Sequence, residues 1–153
     1  MRKDNILKII ERTPGISYNE IVRESNLSNG VVSHYILSLM EGGNIEKYGE
    51  GRPKYFHSKI PAKYRNIISV LRNDTNLSIV KLLLKSESAL TSKEICKEID
   101  KSASTVSVSL KNLQNSSIVE RKILNRNKKL ASDIGYTPKQ RMFLRDFLVK
   151  YKI

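Results

Sequence analysis

The stretch Ser17-Tyr18-Asn19-Glu20-Ile21-Val22-Arg23-Glu24-Ser25-Asn26-Leu27-Ser28-Asn29-Gly30-Val31-Val32-Ser33-His34-Tyr35-Ile36-Leu37-Ser38-Leu39 decides the fold. Ser17 and Glu20 stand three apart, as a capping box requires. The hydroxyl can accept from the Glu20 amide, and the carboxylate can reach back to the Ser17 amide. Ile21 and Val22 give this helix its core face. Asn26 to Gly30 reads as a turn, and Ser28 or Asn29 can cap a second helix, Val31 to Glu41. Val32, Ile36 and Leu39 recur at helical spacing and should point inward, leaving Asn29, Ser33, His34 and Leu37 on the open side. Gly42-Gly43 stops the helix by allowing positive φ. Ile45 to Tyr48 and Tyr55 to His57 then form a hairpin around the turn Gly49-Glu50-Gly51-Arg52-Pro53.

Working outward, Asn5 to Arg12 makes a short helix through Ile6, Leu7, Ile9 and Ile10, and Thr13-Pro14-Gly15 ends it. Downstream of Pro61, Tyr64, Ile67, Ile68 and Leu71 mark a connecting helix, which Asn73-Asp74-Thr75-Asn76 should break. The pattern then returns. A shift of 74 residues aligns Ile6 with Val80 and Lys47 with Arg121, without a gap between them. Glu20/Glu94, Ile21/Ile95, Ser28/Ser102, Val32/Val106, Ser33/Ser107 and Leu39/Leu113 are identical pairs, and Thr91 with Glu94 restores the capping box. This period is too long for a solenoid and describes two copies of one small domain. The second hairpin is longer: Ile118 to Leu124, a tip at Asn125-Arg126-Asn127-Lys128-Lys129, and a return from Leu130 to Tyr136. Thr137-Pro138 has the form of a helix start, followed by an apolar stripe of Phe143, Leu144, Phe147, Leu148 and Tyr151. The expected division is 1–60, a connecting segment 61–76, a second domain 77–137, and a C-terminal amphipathic helix 138–153. The fold class is mainly α with small β-hairpins.

The 153 residues carry 28 Lys+Arg against 15 Asp+Glu, a net charge of +13. The excess is concentrated: residues 101–153 hold twelve basic and three acidic residues. Charge of this size points to an anionic partner. Cys96 is the single cysteine, so no internal disulfide forms, and a reducing compartment fits. It should act as a small buried hydrophobe. No apolar run approaches the roughly 20 residues of a membrane span, and a cytoplasmic location follows. His34, His57 and Cys96 are too scattered for a tetrahedral metal site. No Gly-rich phosphate loop and no nucleophile–base set is present, so neither an enzyme nor a cofactor is expected.

With these residues in hand, the chain resembles winged helix-turn-helix transcription regulators of bacteria and archaea, the group that includes the arsenic-type and multiple-antibiotic-resistance-type repressors. Ser104-Thr105-Val106-Ser107-Val108-Ser109-Leu110-Lys111-Asn112-Leu113 is similar to that family's recognition helix. Gly51-Arg52-Pro53-Lys54-Tyr55 is similar to the Gly-Arg-Pro wing of archaeal members, with the tyrosine one position early. The resemblance implies a tandem pair on double-stranded DNA, with each recognition helix in the major groove and each wing on the backbone or minor groove. Carried onto this chain, the helix contacts are Ser28, Asn29, Ser33 and His34, then Ser102, Ser104, Thr105, Ser107 and Lys111. The wing contacts are Arg52 and Lys54, then Arg126, Lys128 and Lys129.

The recognition faces depart from the family in offering few groups for bidentate base contacts. Phosphate contacts and DNA shape should therefore carry much of the affinity. Arg121, Lys122, Arg126, Lys128 and Lys129 form the candidate phosphate clamp. The stripe Phe143, Leu144, Phe147, Leu148 and Tyr151 is the candidate homodimer face, unless it packs on its own domain. A tandem winged helix used as a protein–protein module is the alternative function, to which Val31, Leu37 and Val108 contribute exposed apolar surface.

Overall fold

A computed structural model describes residues 2–124, 134–151 and 153. Along the chain they form α1 (Arg2–Arg12), β1 (Ile16–Ser17), α2 (Tyr18–Ser25), α3 (Asn29–Glu41), β2 (Ile45–Tyr48), β3 (Lys54–His57) and α4 (Ala62–Leu71). The pattern continues with α5 (Asp74–Lys85), β4 (Leu90–Thr91), α6 (Ser92–Ile99), α7 (Ala103–Asn115), β5 (Val119–Ile123), β6 (Ile134–Pro138) and α8 (Arg141–Lys150). The chain divides into two compact units, residues 1–69 and 70–151, and the division falls inside α4.

In the first unit the capping box forms as the spacing demands: Glu20 N donates to Ser17 Oγ at 3.3 Å and Ser17 N to Glu20 Oε1 at 3.4 Å. Asn26 closes α2 in the left-handed region at φ 57, a conformation that asparagine tolerates better than most residues. Ser28 then caps α3, its Oγ accepting from Val31 N at 3.4 Å. The helix therefore starts two residues earlier than its apolar pattern predicts. Ile6, Ile9, Ile10, Ile16, Ile21, Val32, Ile36, Leu39, Ile45 and Tyr55 make one buried cluster. Each such side chain contributes about 1.5–3 kcal/mol by leaving water. Strand β3 pairs antiparallel with both β1 and β2, in register Ile16 to Tyr55 and Ile45 to His57. The two-residue β1 thus roots the wing beside the start of α2.

The second unit repeats this build at the same offset. Helices α6 and α7 lie 74 residues beyond α2 and α3, end for end. Asp100, at φ 54, takes the place of Asn26. Ile6, Ile9, Ile10, Ile21, Val32, Ile36, Leu39 and Ile45 are buried, and so are their counterparts Val80, Leu83, Leu84, Ile95, Val106, Leu110, Leu113 and Val119. Strand β6 pairs with β4 and β5 in the same order as β3 with β1 and β2. Tyr136 faces Leu90 as Tyr55 faces Ile16, although the tyrosines are 81 apart and their partners 74. The second wing has therefore gained seven residues without disturbing the pairing at its base. Its tip, including Arg126, Lys128 and Lys129, lies outside the described residues, as do 130–133 of the expected return strand.

Four expectations change. Asn73 to Asn76 is not a continuous break: Asn73 caps α5 by accepting from Asn76 N at 3.0 Å, and Asp74 already belongs to the helix. Thr137 and Pro138 end strand β6 instead of opening the last helix, because β6 continues pairing to Val119 and Glu120. Helix α8 starts at Arg141, without a side-chain cap. At the end of α3, Gly42 is right-handed at φ −78 and Gly43 alone is left-handed, at φ 74. Finally, Leu144, Phe147 and Leu148 are buried in the unit itself, so most of the expected dimer stripe is core. Exposed apolar surface on α8 passes to Met142 and Val149, with Phe143 at the margin.

Candidate nucleic-acid interface

Each unit presents one helix whose inner face is locked and whose outer face is open. On α3, Val32, Ile36 and Leu39 are buried while Asn29, Ser33, His34 and Leu37 are exposed. On α7, Val106, Ser109, Leu110 and Leu113 are buried while Ser104, Thr105, Ser107, Val108 and Lys111 are exposed. The offset puts Ser33 with Ser107, His34 with Val108, and Leu37 with Lys111. The two faces share position and shape but differ in chemistry. Each carries one large exposed apolar side chain, Leu37 at 57% and Val108 at 62%.

Several expected contact residues already have structural work. Ser28 and Ser102 are the N-caps of α3 and α7. Ser102 Oγ accepts from Thr105 N at 3.2 Å and donates to Thr105 Oγ1 at 2.8 Å, with Ser104 Oγ 3.2 Å away. The small polar start of α7 is thus a linked set of hydroxyls at the positive end of the helix macrodipole. Asn29 is held by Tyr18, whose hydroxyl donates to the Asn29 carbonyl at 2.7 Å and to its side-chain Oδ1. Ser33, His34, Ser107 and Lys111 are exposed; His34 meets Tyr35 edge-on, with ring centroids 5.3 Å apart.

The wings differ too. Arg52 is exposed in the first turn, between Gly51 at φ 73 and Pro53. Lys54 is half-buried in β3, opposite Ser17 and Tyr48. Beside it Tyr55 is buried, and desolvation, then the neighbouring Tyr18, raises its phenol pKa above the ordinary value. In the second wing Arg121 and Lys122 are exposed on β5. As successive strand residues they emerge on opposite faces of the hairpin.

Not all of the positive charge faces outward. Arg141 Nη1 donates to the carbonyls of Leu83 at 3.1 Å and Leu84 at 2.8 Å, and Arg145 Nη2 to Leu84 at 2.7 Å. These guanidinium groups satisfy the last turn of α5, where carbonyls lack helical partners. Arg65 is bound to Glu46 and to the Ile60 carbonyl. His57 is committed at both nitrogens: Nε2 lies 3.2 Å from Glu11 Oε1, and Nδ1 accepts from Lys59 N at 3.1 Å. Cys96 is half-buried, less enclosed than expected, as is Val22 at the matching position.

A buried helical frame, an open helix face and a hairpin wing, built twice, define a tandem of winged helix-turn-helix DNA-binding domains. Residues 5–46 match the family model described as winged helix-turn-helix DNA-binding. Residues 73–121 match that of the bacterial regulatory protein arsR family. No curated protein matches the chain. Among the described residues, no helix is long and apolar enough to cross a membrane.

Proposed function

We propose that the chain is a cytoplasmic transcriptional regulator that binds double-stranded DNA through both units, α3 and α7 entering the major groove and the wings lying on the backbone or minor groove. The observation that carries this reading is the paired open face: two capped helices of equal length, each buried on one side and polar on the other, each flanked by a hairpin. Asn29, Ser33 and His34 are the base-facing groups of the first unit, and Ser104, Thr105, Ser107 and Lys111 those of the second. Ser28 and Ser102 contribute through the caps they form. Arg52, Lys54, Arg121 or Lys122, and the tip residues Arg126, Lys128 and Lys129 meet phosphate. Leu37 and Val108 suit thymine methyl groups, the apolar feature of the major groove. Six neutralised phosphates give a log–log salt slope of roughly −5. Gel retardation of a random duplex across a salt series tests this. Retardation at low salt that fades at that slope supports the proposal; no retardation at low salt overturns it.

The second reading is a protein-binding module, favoured by the exposure of Leu37 and Val108 on the recognition helices. It predicts no DNA retardation and loss of a protein partner on Leu37→Ser or Val108→Ser. A homodimer through α8 would rest on Met142, Val149 and Phe143. Sedimentation of the full chain as a monomer at all concentrations would remove that idea.

A further inference from the structure

Beside α7 the second unit carries a cleft of about 370 Å³ that no charged side chain lines. One wall is the start of α5, with Asn73 and Thr75; the other is α7, with Thr105, Val108, Ser109 and Asn112. Thr105 and Val108 also belong to the open face of α7, so cleft and face are one surface. Ser109 is the most buried residue of the lining, at 6% exposed, and its hydroxyl makes no hydrogen bond to any described residue. A buried hydroxyl without a partner costs stability, so its place in an open cleft points to a ligand that satisfies it. The Asn112 amide and the Thr75 hydroxyl likewise bond no described residue. Asn73 Oδ1 accepts from Asn76 N at 3.0 Å, which leaves Nδ2 to donate. The first amides of α5, a helix of 12 residues, have no partners within the helix, and they lie at the positive end of its macrodipole. Asp74, the acidic residue of that turn, is exposed and does not line the cleft. Donors gathered at a helix N-terminus suit an anion.

On the reading that α7 faces DNA, we infer that this cleft takes one phosphate of the strand bordering the groove, held by uncharged donors alone: Asn73, Thr75, Ser109 and Asn112, with the first amides of α5. A phosphate oxygen accepts from the hydroxyl that the fold leaves unpaired. The salt dependence of duplex binding follows the Lys and Arg that neutralise phosphates. A neutral contact therefore positions the strand without steepening the salt slope. The offset puts Val31, Tyr35 and Ser38 in place of Thr105, Ser109 and Asn112. The first unit has no counterpart of the buried serine, so the effect is not masked by a duplicate.

The test uses the full chain, one selected and one random duplex, a salt series, and three variants: Ser109→Ala, Thr75→Val and Asn112→Ala. Each should weaken both duplexes by the same factor, about fivefold, the size of one hydrogen bond, with the salt slope unchanged. Ser109→Ala separates binding from structure. Its hydroxyl bonds nothing in the free chain, so thermal unfolding should stay or move up while duplex binding falls. A merely structural serine would lower both together. A series of duplexes, each with one uncharged methylphosphonate, then locates the phosphate. At one position the substitution weakens the unaltered chain, and Ser109→Ala and Asn112→Ala add nothing further there. Binding by all three variants that matches the unaltered chain overturns the inference. So does a loss confined to one base pair, or methylphosphonate losses that add to those of the variants at every position. If Thr75→Val does not fold, the other two variants decide. Absence of any duplex binding by the unaltered chain is a separate result: it removes the DNA reading and this inference with it.

Discussion

At the scale of single residues, the repeat supplies its own controls. Gly43 ends α3 at φ 74, and the matching residue of the second unit is Ser117, at φ 59. Left-handed backbone costs an L-residue about 1–2 kcal/mol relative to its preferred regions. Glycine avoids that cost but loses more freedom on folding, by roughly 0.5–1 kcal/mol. The difference leaves a net gain for glycine at this site. Ser117→Gly should therefore raise the stability of the second unit by about 0.5–1 kcal/mol. Gly43→Ser should lower that of the first by a similar amount, although a Cβ at Gly43 would meet no atom within 4 Å. Urea unfolding of each variant measures it. Loss of stability in Ser117→Gly would mean that the serine hydroxyl contributes more than the backbone strain costs.

At the scale of elements, Arg141 and Arg145 show why charge alone misleads. Twelve basic residues in the last third read as a grip on DNA, yet two of them hold α8 to the end of α5. Arg141→Ala should destabilise the second unit by about 1–2 kcal/mol, below the full value of a charged hydrogen bond because the group is partly exposed. Arg141→Lys should restore part, since both carbonyls are reached from one nitrogen, Nη1, which an ammonium can imitate, although lysine is more strongly hydrated and more flexible. The salt slope of DNA binding should not change in either variant. A slope shallower by one unit would place Arg141 on phosphate instead. The same elements show what the chain reveals unaided. Capping boxes and apolar spacing announced α2, α3, α6 and α7, because both depend on neighbours three or four residues away. The pairing of Thr137 with Glu120, which keeps β6 going past the expected helix start, depends on a strand seventeen residues back. The Tyr18 hold on Asn29 spans eleven residues, beyond the reach of local spacing. Arg121 and Lys122 adjoin in the sequence, and the alternation of strand β5 turns them to opposite faces.

At the scale of the whole chain, two copies of one frame have diverged only where the frame does not constrain them. The eight matched core pairs are buried in both units, whereas the outer faces exchange His34 for Val108 and Leu37 for Lys111. The wings diverge as well: a five-residue turn with Arg52 in one, and seven extra residues with a basic sequence in the other. This supports a division of labour in which the first unit selects a site and the second holds the duplex. Joining the two on one chain makes the second binding event intramolecular, so weak sequence preference in one unit gains from non-specific grip in the other. The division makes a quantitative demand. Lys128→Ala/Lys129→Ala should weaken specific and random duplexes by the same factor and make the salt slope shallower by nearly two. Arg52→Ala should also make it shallower, by about one, if Arg52 meets only phosphate. If instead Arg52 enters a narrow minor groove, its loss should weaken the selected site more than random duplex, because groove width depends on sequence. Measuring both variants on both duplexes across a salt series separates these cases. If each variant lowers specific and random binding in the same ratio, the two units share one task, and the differences between their wings have another cause.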